Sequence, residues 1–173
     1  KQLSDAMTFE VKPLHDVQVL KPATSDEIRN FKEELEAARL EYSTINKALR
    51  EAGNRVEVLK NACFRMDEAP DGLLEEVYAV EAEYLAIFEM MCGQSSRDEV
   101  GEKKKNTPGM WLRVASRGLS TTYGPTGMHR ESLQTGIEAM KPVREQLRTF
   151  TRTTLPSLGK KLKEAGAPLV GAL

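Results

Sequence analysis

Residues 25–66 read SDEIRNFKEELEAARLEYSTINKALREAGNRVEVLKNACFRM. Apolar residues in this stretch recur at alternating steps of three and four, which is the period of one helical face packed along its length. This seam consists of Ile28, Phe31, Leu35, Ala38, Tyr42, Ile45, Leu49, Ala52, Val56, Leu59, Cys63 and Met66. We therefore predict a single helix over residues 25–66, roughly 60 Å long.

The start of this helix has a clear sequence signal. Thr24 is followed three residues later by Glu27, the spacing of a capping box in which each side chain accepts a hydrogen bond from the other residue's backbone N–H. Gly53 lies inside the helix, where glycine costs about 1 kcal/mol relative to alanine. That cost is too small to break a helix packed along its length.

Three further helices are predicted after this one. A Pro-Asp-Gly turn at 70–72 leads into a second helix over about 72–92, which Gly93 can end. Residues 93–109 are predicted to be a loop, followed by a shorter helix over about 110–121 and a long final helix over about 127–165.

The final helix contains two prolines. Thr126 can cap its N-terminus, and Pro142 and Pro156 lie within its apolar stripe. Proline removes a backbone donor and crowds the preceding turn, so we expect kinks at these two positions rather than helix ends.

The simplest assembly is an all-α antiparallel up-down four-helix bundle, with two long helices at 25–66 and 127–165. Short connections between successive helices favour this topology. The bundle is predicted to form one domain over residues 22–173.

A short strand is predicted ahead of the helices. Met7, Phe9 and Val11 alternate with polar residues, which is the period of a half-buried strand at 6–12. One strand cannot bury itself, so residues 1–21 are interpreted as the end of a preceding β-domain and a linker.

Composition limits the classes of function. The net charge of −1 provides no global field for nucleic acid or an anionic membrane. No apolar run is long enough to span a bilayer. Cys63 and Cys92 fall at distant levels of the predicted bundle and are interpreted as free thiols.

No catalytic, metal or cofactor site is predicted. His15 and His129 have no Cys, Asp or Glu partner at metal-ligand spacing. The glutamates at 75–76 and those at 81 and 83 diverge on a helix, so neither pair would converge on a substrate. These residues therefore indicate a protein that is not an enzyme and needs no cofactor.

The distribution of charge identifies one candidate interaction site. Residues 72–92 carry five glutamates and no Lys or Arg, whereas Arg144, Arg148 and Arg152 recur every four residues in the final helix. This basic stripe either faces the acidic helix or solvent and fixes helix order, or forms a surface for an acidic partner.

Three stretches carry a family resemblance: NTPGMWLRVASRGL at 106–119, YGPTGMHRESL at 123–133 and LPSLGKKLKEAGAP at 155–168. They resemble the C-terminal region of bacterial propeller proteins of the BNR-repeat or sortilin-like glycosyl hydrolase family. The segment MTFEVKPL at 7–14 is similar to the last strand of the small β-domain that follows the propellers in that family.

The resemblance implies that the chain is the C-terminal helical region of an exported protein, periplasmic or attached to the cell surface. It assigns no catalytic residue here, because the family's enzymatic or ligand-binding parts lie in the propellers.

Three functions remain open from the sequence. The first is a non-catalytic assembly or docking module that packs on its parent's propeller or β-domain, or holds another protein. The second is homo-oligomerisation through an incompletely covered seam along residues 28–66. The third is an accessory domain that shapes a carbohydrate or peptide site of the propellers.

Overall fold

The computed structural model describes residues 7–11, 21–94 and 105–168, and within these ranges the only regular secondary structure is helical. The first two helices are α1 (Ser25–Phe64) and α2 (Leu73–Cys92). Helix α3 (Pro108–Arg117) continues into a 3₁₀ turn at Gly118–Ser120. The C-terminal column consists of α4 (Gly127–Thr149), a π turn (Phe150–Thr154) and α5 (Leu155–Glu164).

The helix ends follow local chemistry. The capping box at the start of α1 is confirmed: the Thr24 N–H donates to Glu27 Oε2 at 2.7 Å, and the Glu27 N–H donates to Thr24 Oγ1 at 3.3 Å. At the end of α2, Gly93 adopts φ +77°, a conformation that favours glycine. At the start of α4, the Thr126 N–H donates to His129 Nδ1 at 3.1 Å, so histidine takes the place of the usual Glu or Gln.

One apolar core connects all the helices. The α1 seam supplies its longest row, and Leu35 and Leu49 are almost completely buried at 0% and 1% exposure. The other helices contribute Leu73, Val77, Val80, Ile87, Met91, Leu112, Ala115, Leu133, Met140, Val143, Leu147, Phe150, Leu155, Leu158 and Leu162. Nine of the twelve seam positions are buried within the chain, and Ile28, Tyr42 and Met66 are partly exposed.

Contacts between α1 and α2 show that these helices run in opposite directions. Lys60 Nζ lies 2.7 Å from Glu81 Oε1. Further along, Cys92 Sγ lies 3.8 Å from Asn46 Oδ1. Residue numbers therefore fall along α1 as they rise along α2.

The C-terminal column runs in the same direction as α1. Arg130 lies over the ring of Phe31 at 5.8 Å, and Arg144 Nη1 lies 2.7 Å from Glu41 Oε1. Residue numbers rise together along both elements, so the predicted up-down alternation is wrong for the two long helical elements.

Helix α3 explains this difference. The end of α2 lies beside Asn46 of α1, and Gly109 at the start of α3 lies against Tyr42, one turn further along. Because α3 continues in the direction of α2 instead of turning back, α2 and α3 together cover one side of α1. The following reversal then brings α4 parallel to α1.

The predicted strand is not seen. Residues 7–11 form no strand, and Met7 and Phe9 are 90% and 87% exposed; residues 6 and 12 lie outside the described ranges. A strand needs a neighbour to accept and donate its backbone hydrogen bonds, and the described part of the chain offers this segment only helices.

Candidate functional site

The three arginines singled out from the sequence lie together along one edge of a groove. The groove runs between α1 and the C-terminal column and has a volume of about 630 Å³. We call it the arginine groove. Its lining comprises Ala37, Leu40, Glu41, Thr44, Ile45, Ala48, Arg144, Leu147, Arg148, Thr151 and Arg152.

Apolar side chains form much of the groove wall. Leu40 is 71% exposed, although it is a large aliphatic residue on a well-packed helix. Ala37 and Ala48 lie one and two turns from Leu40 on the same side of α1. Their small side chains make this wall of the groove shallow. Leu147 packs into the core beneath them from the opposite side of the groove.

Only one of the three arginines has an ion-pair partner within the described ranges. Arg144 bridges the groove to Glu41 and also approaches Glu145 Oε1 at 3.7 Å. Arg148 and Arg152 are exposed and form no ion pair with a described residue. The groove therefore has a positive edge beside an apolar wall.

The π turn positions part of this lining. The Leu155 N–H donates to the carbonyl of Phe150, five residues earlier, so one extra residue is accommodated in the column. Pro156 follows directly and has no N–H to continue the α-helical pattern. Thr151 and Arg152 lie within this turn and line the groove.

The alternative interpretation placed the arginine stripe against the acidic helix or solvent, where it would fix helix order. Other cations meet the α2 glutamates instead: Lys161 pairs with Glu76 at 2.5 Å, and Lys60 with Glu81 at 2.7 Å. The arginines face α1 and solvent, so helix order between α2 and the C-terminal column depends on a different set of charges.

A second surface was not singled out from the sequence. Besides its five glutamates, helix α2 carries large apolar residues that point away from the core. The ring of Phe64 on α1 lies 6.3 Å from that of Tyr78, which extends this surface onto α1. We define the α2 outer face as Phe64, Leu74, Tyr78, Leu85 and Phe88. The lack of any Lys or Arg in α2, together with its leucines at both core and non-core positions, was the available sequence signal.

The titratable residues considered for chemistry are dispersed. His129 is buried as a helix cap, and His15 lies outside the described ranges. Cys63 is buried in the core and Cys92 is exposed at the end of α2, and both are free. Burial raises the pKa of the Cys63 thiol, and partial desolvation by neighbouring atoms raises that of the Cys92 thiol, where the charge of Arg50 opposes it. Within residues 7–11, 21–94 and 105–168, no group of three His, Cys, Asp or Glu side chains could hold a metal ion.

Comparisons with known proteins identify no relative of this chain. No protein-family model matches the chain, and no curated protein or solved structure matches it. Among the helices of the described ranges, none combines the length and apolar character needed to cross a membrane.

Proposed function

We propose that this chain is a non-catalytic docking module whose arginine groove binds an acidic amphipathic helix of a partner protein. The observation that carries the proposal is the combination of an exposed apolar wall at Leu40 with Arg148 and Arg152, which form no ion pair within the described residues.

The groove has the features that a docked helix uses. An amphipathic helix places its apolar stripe into a groove and anchors it by residues at successive turns. Leu40, Ala37 and Ala48 offer such a stripe a shallow apolar wall. Carboxylates flanking the stripe would pair with the guanidinium groups, each of which can donate two parallel N–H hydrogen bonds to one carboxylate.

The resemblance to BNR-repeat and sortilin-like propeller proteins suggests a wider setting. In that setting the module belongs to a larger exported protein, periplasmic or at the cell surface, and the partner helix belongs to the parent or to another protein. The segment at 6–12 would then form its strand only when a preceding β-domain supplies the neighbouring strand. Nucleic acid is not proposed as a partner, because the net charge is −1.

Calorimetric titration tests the groove with a defined probe. The probe is a synthetic helical peptide with a leucine stripe flanked by glutamates, and its counterpart carries lysines in place of the glutamates. We expect the acidic peptide to bind and the lysine peptide not to bind. The double variant Arg148→Glu/Arg152→Glu should weaken binding of the acidic peptide at least about tenfold, since two attractions become repulsions.

A matched control changes the same number of charges on the same column. Lys160 and Lys163 are exposed on α5 and do not line the groove. Lys160→Glu/Lys163→Glu should therefore bind the acidic peptide within about twofold of wild type. No binding to wild type, or equal losses in the groove and control variants, would refute the proposal.

A further inference from the structure

Arg55 is a partly buried cation of α1 that has no ion-pair partner in the described chain. Its Nε is covered by neighbouring atoms and has no hydrogen-bond partner there. Glu51 lies four residues earlier, a spacing that often pairs on helices, yet the two side chains form no ion pair. A charged group that loses part of its hydration without gaining a partner lowers the stability of a fold.

Helical rotation places Arg55 on the side of α1 that forms the groove wall. Residues seven or eighteen apart on a helix lie on the same side. Arg55 is seven residues after Ala48 and eighteen after Ala37, both of which line the arginine groove. Ala62, seven residues further on, is buried. Arg55 therefore lies at the end of the groove, between its lining and a buried part of the same helix face.

At this end of the groove, unpaired cations lie on both sides. The ion pair between Arg144 and Glu41 fixes the level of the C-terminal column against α1. Arg152 lies eight residues after Arg144, and Arg55 lies fourteen residues after Glu41. Because the two elements run in parallel, Arg55 is about 9 Å further along the axis than Arg152, at 1.5 Å per residue. Residues seven apart on a docked helix would span a similar distance.

We infer that Arg55 is a further anchor of the docking site, at which the partner helix supplies a carboxylate about two turns beyond the one that meets Arg152. The inference rests on the proposed docking function and extends the same site. The free chain holds a partly desolvated cation, and the docked partner provides the missing negative charge. Only Nε of this guanidinium group is covered without a partner, so the carboxylate binds the Nη groups.

Two peptides test the third carboxylate and the direction of the docked helix. Each has the leucine stripe and a pair of glutamates four residues apart. The third glutamate follows this pair by seven residues in one peptide and precedes it by seven in the other. A counterpart of each peptide has glutamine in place of the third glutamate. In calorimetric titration of wild type, glutamine should lower the affinity at least about fivefold for the direction that fits, because a hydrogen bond between charged groups is lost.

Arg55→Met removes the guanidinium group and keeps a long stem for packing. This variant should bind the glutamate and glutamine peptides within about twofold of each other, since coupled effects identify a direct contact. Its midpoint of urea unfolding should equal or exceed that of wild type, because the free chain no longer holds an unpaired cation. Arg39→Met is the control. Arg39 is exposed on α1, about 160° around the helix from Arg55, and its variant should keep the fivefold preference.

Equal affinity of wild type for the glutamate and glutamine peptides in both directions would overturn the inference, and this comparison requires no change in the protein. A preference that persists in Arg55→Met would also overturn it, since another residue would then bind the third carboxylate. If the affinity in these cases still depends on Arg148 and Arg152, the docking function stands without Arg55. If wild type binds none of the peptides, both the docking function and the role of Arg55 are refuted.

Discussion

Two tyrosines of the structure lie directly over glycine α-carbons in neighbouring helices. A Cβ built on Gly53 of α1 would collide with the Tyr84 hydroxyl, and one built on Gly109 of α3 would lie 2.6 Å from the Tyr42 hydroxyl. The sequence predicted a tolerable glycine at position 53 but gave no reason for it. The reason is non-local, since a side chain from α2 occupies the space that a methyl group would need.

Gly53→Ala is expected to lower stability, although the same change in an open helix raises it by about 1 kcal/mol. The Tyr84 ring cannot retreat freely, because it packs 6.1 Å from the ring of Phe88 and 6.3 Å from that of Phe150. Urea unfolding of Gly53→Ala, of Tyr84→Leu and of the double variant gives the coupling energy between positions 53 and 84. This coupling energy should exceed about 1 kcal/mol.

Gly127 provides the control, because nothing lies within 4 Å of a Cβ built there. Gly127→Ala should be neutral or stabilising by a few tenths of a kcal/mol. Additive effects of Gly53→Ala and Tyr84→Leu would show that the close approach does not explain the glycine.

At the scale of the helix, local signals predicted the start of α1 and the end of α2, whereas α3 begins at Pro108, inside the predicted loop 93–109. The capping residue Thr24 and the stop at Gly93 were predicted and are confirmed. Helical structure continues through Pro142 and Pro156, as expected. The π turn at Phe150–Thr154 was not predicted. Its only trace in the sequence is the five-residue step from Phe150 to Leu155 in the apolar stripe. A kink at the nearby Pro156 would account for the same step.

Removing the extra residue should convert the π turn to regular α-helix. Deletion of Thr153 together with Pro156→Ala changes the step from Phe150 to the next core leucine from five residues to four, which suits 3.6 residues per turn. We expect equal or higher stability in thermal unfolding followed by circular dichroism. The acidic peptide should bind less tightly, because Arg152 is rotated relative to the groove.

Deletion of Gln134, an exposed residue of α4, is the corresponding control. It rotates Met140, Val143 and Leu147 away from the core by about 100°, and stability should fall by more than about 4 kcal/mol. If both deletions destabilise the protein equally, the extra residue at the π turn is required for packing.

At the scale of the whole molecule, periodicity identified which residues are buried but not which helices are neighbours. Residues 93–107 are long enough either to return alongside α2 or to continue past its end, and nothing in their composition decides between these paths. The groove could be predicted only in part for a similar reason. The stripe of Arg144, Arg148 and Arg152 was identified from the sequence, whereas Leu40 was not singled out because it lies off the α1 seam. Only the parallel packing of the C-terminal column on α1 brings the two together.

Distances between spin labels test this topology. Lys32, Glu131 and Lys163 are exposed and can be replaced by cysteine in a Cys63→Ala/Cys92→Ser background. Pulsed electron resonance should give a distance below about 20 Å between positions 32 and 131. Between positions 32 and 163 it should give about 45 Å, from the helical rise. An up-down bundle would shorten the second distance and lengthen the first.

The parallel course of α1 and the C-terminal column has a mechanical consequence. The Ala23 N–H donates to the Tyr123 carbonyl at one end of the molecule, and Lys161 pairs with Glu76 at the other. Segments attached before Lys21 and after Pro168 would therefore be held at opposite ends of a strut roughly 60 Å long, the length of α1. Tension between those segments would act along the helix axes and load the core in shear, so that rows of interlocked side chains would resist together instead of separating one turn at a time.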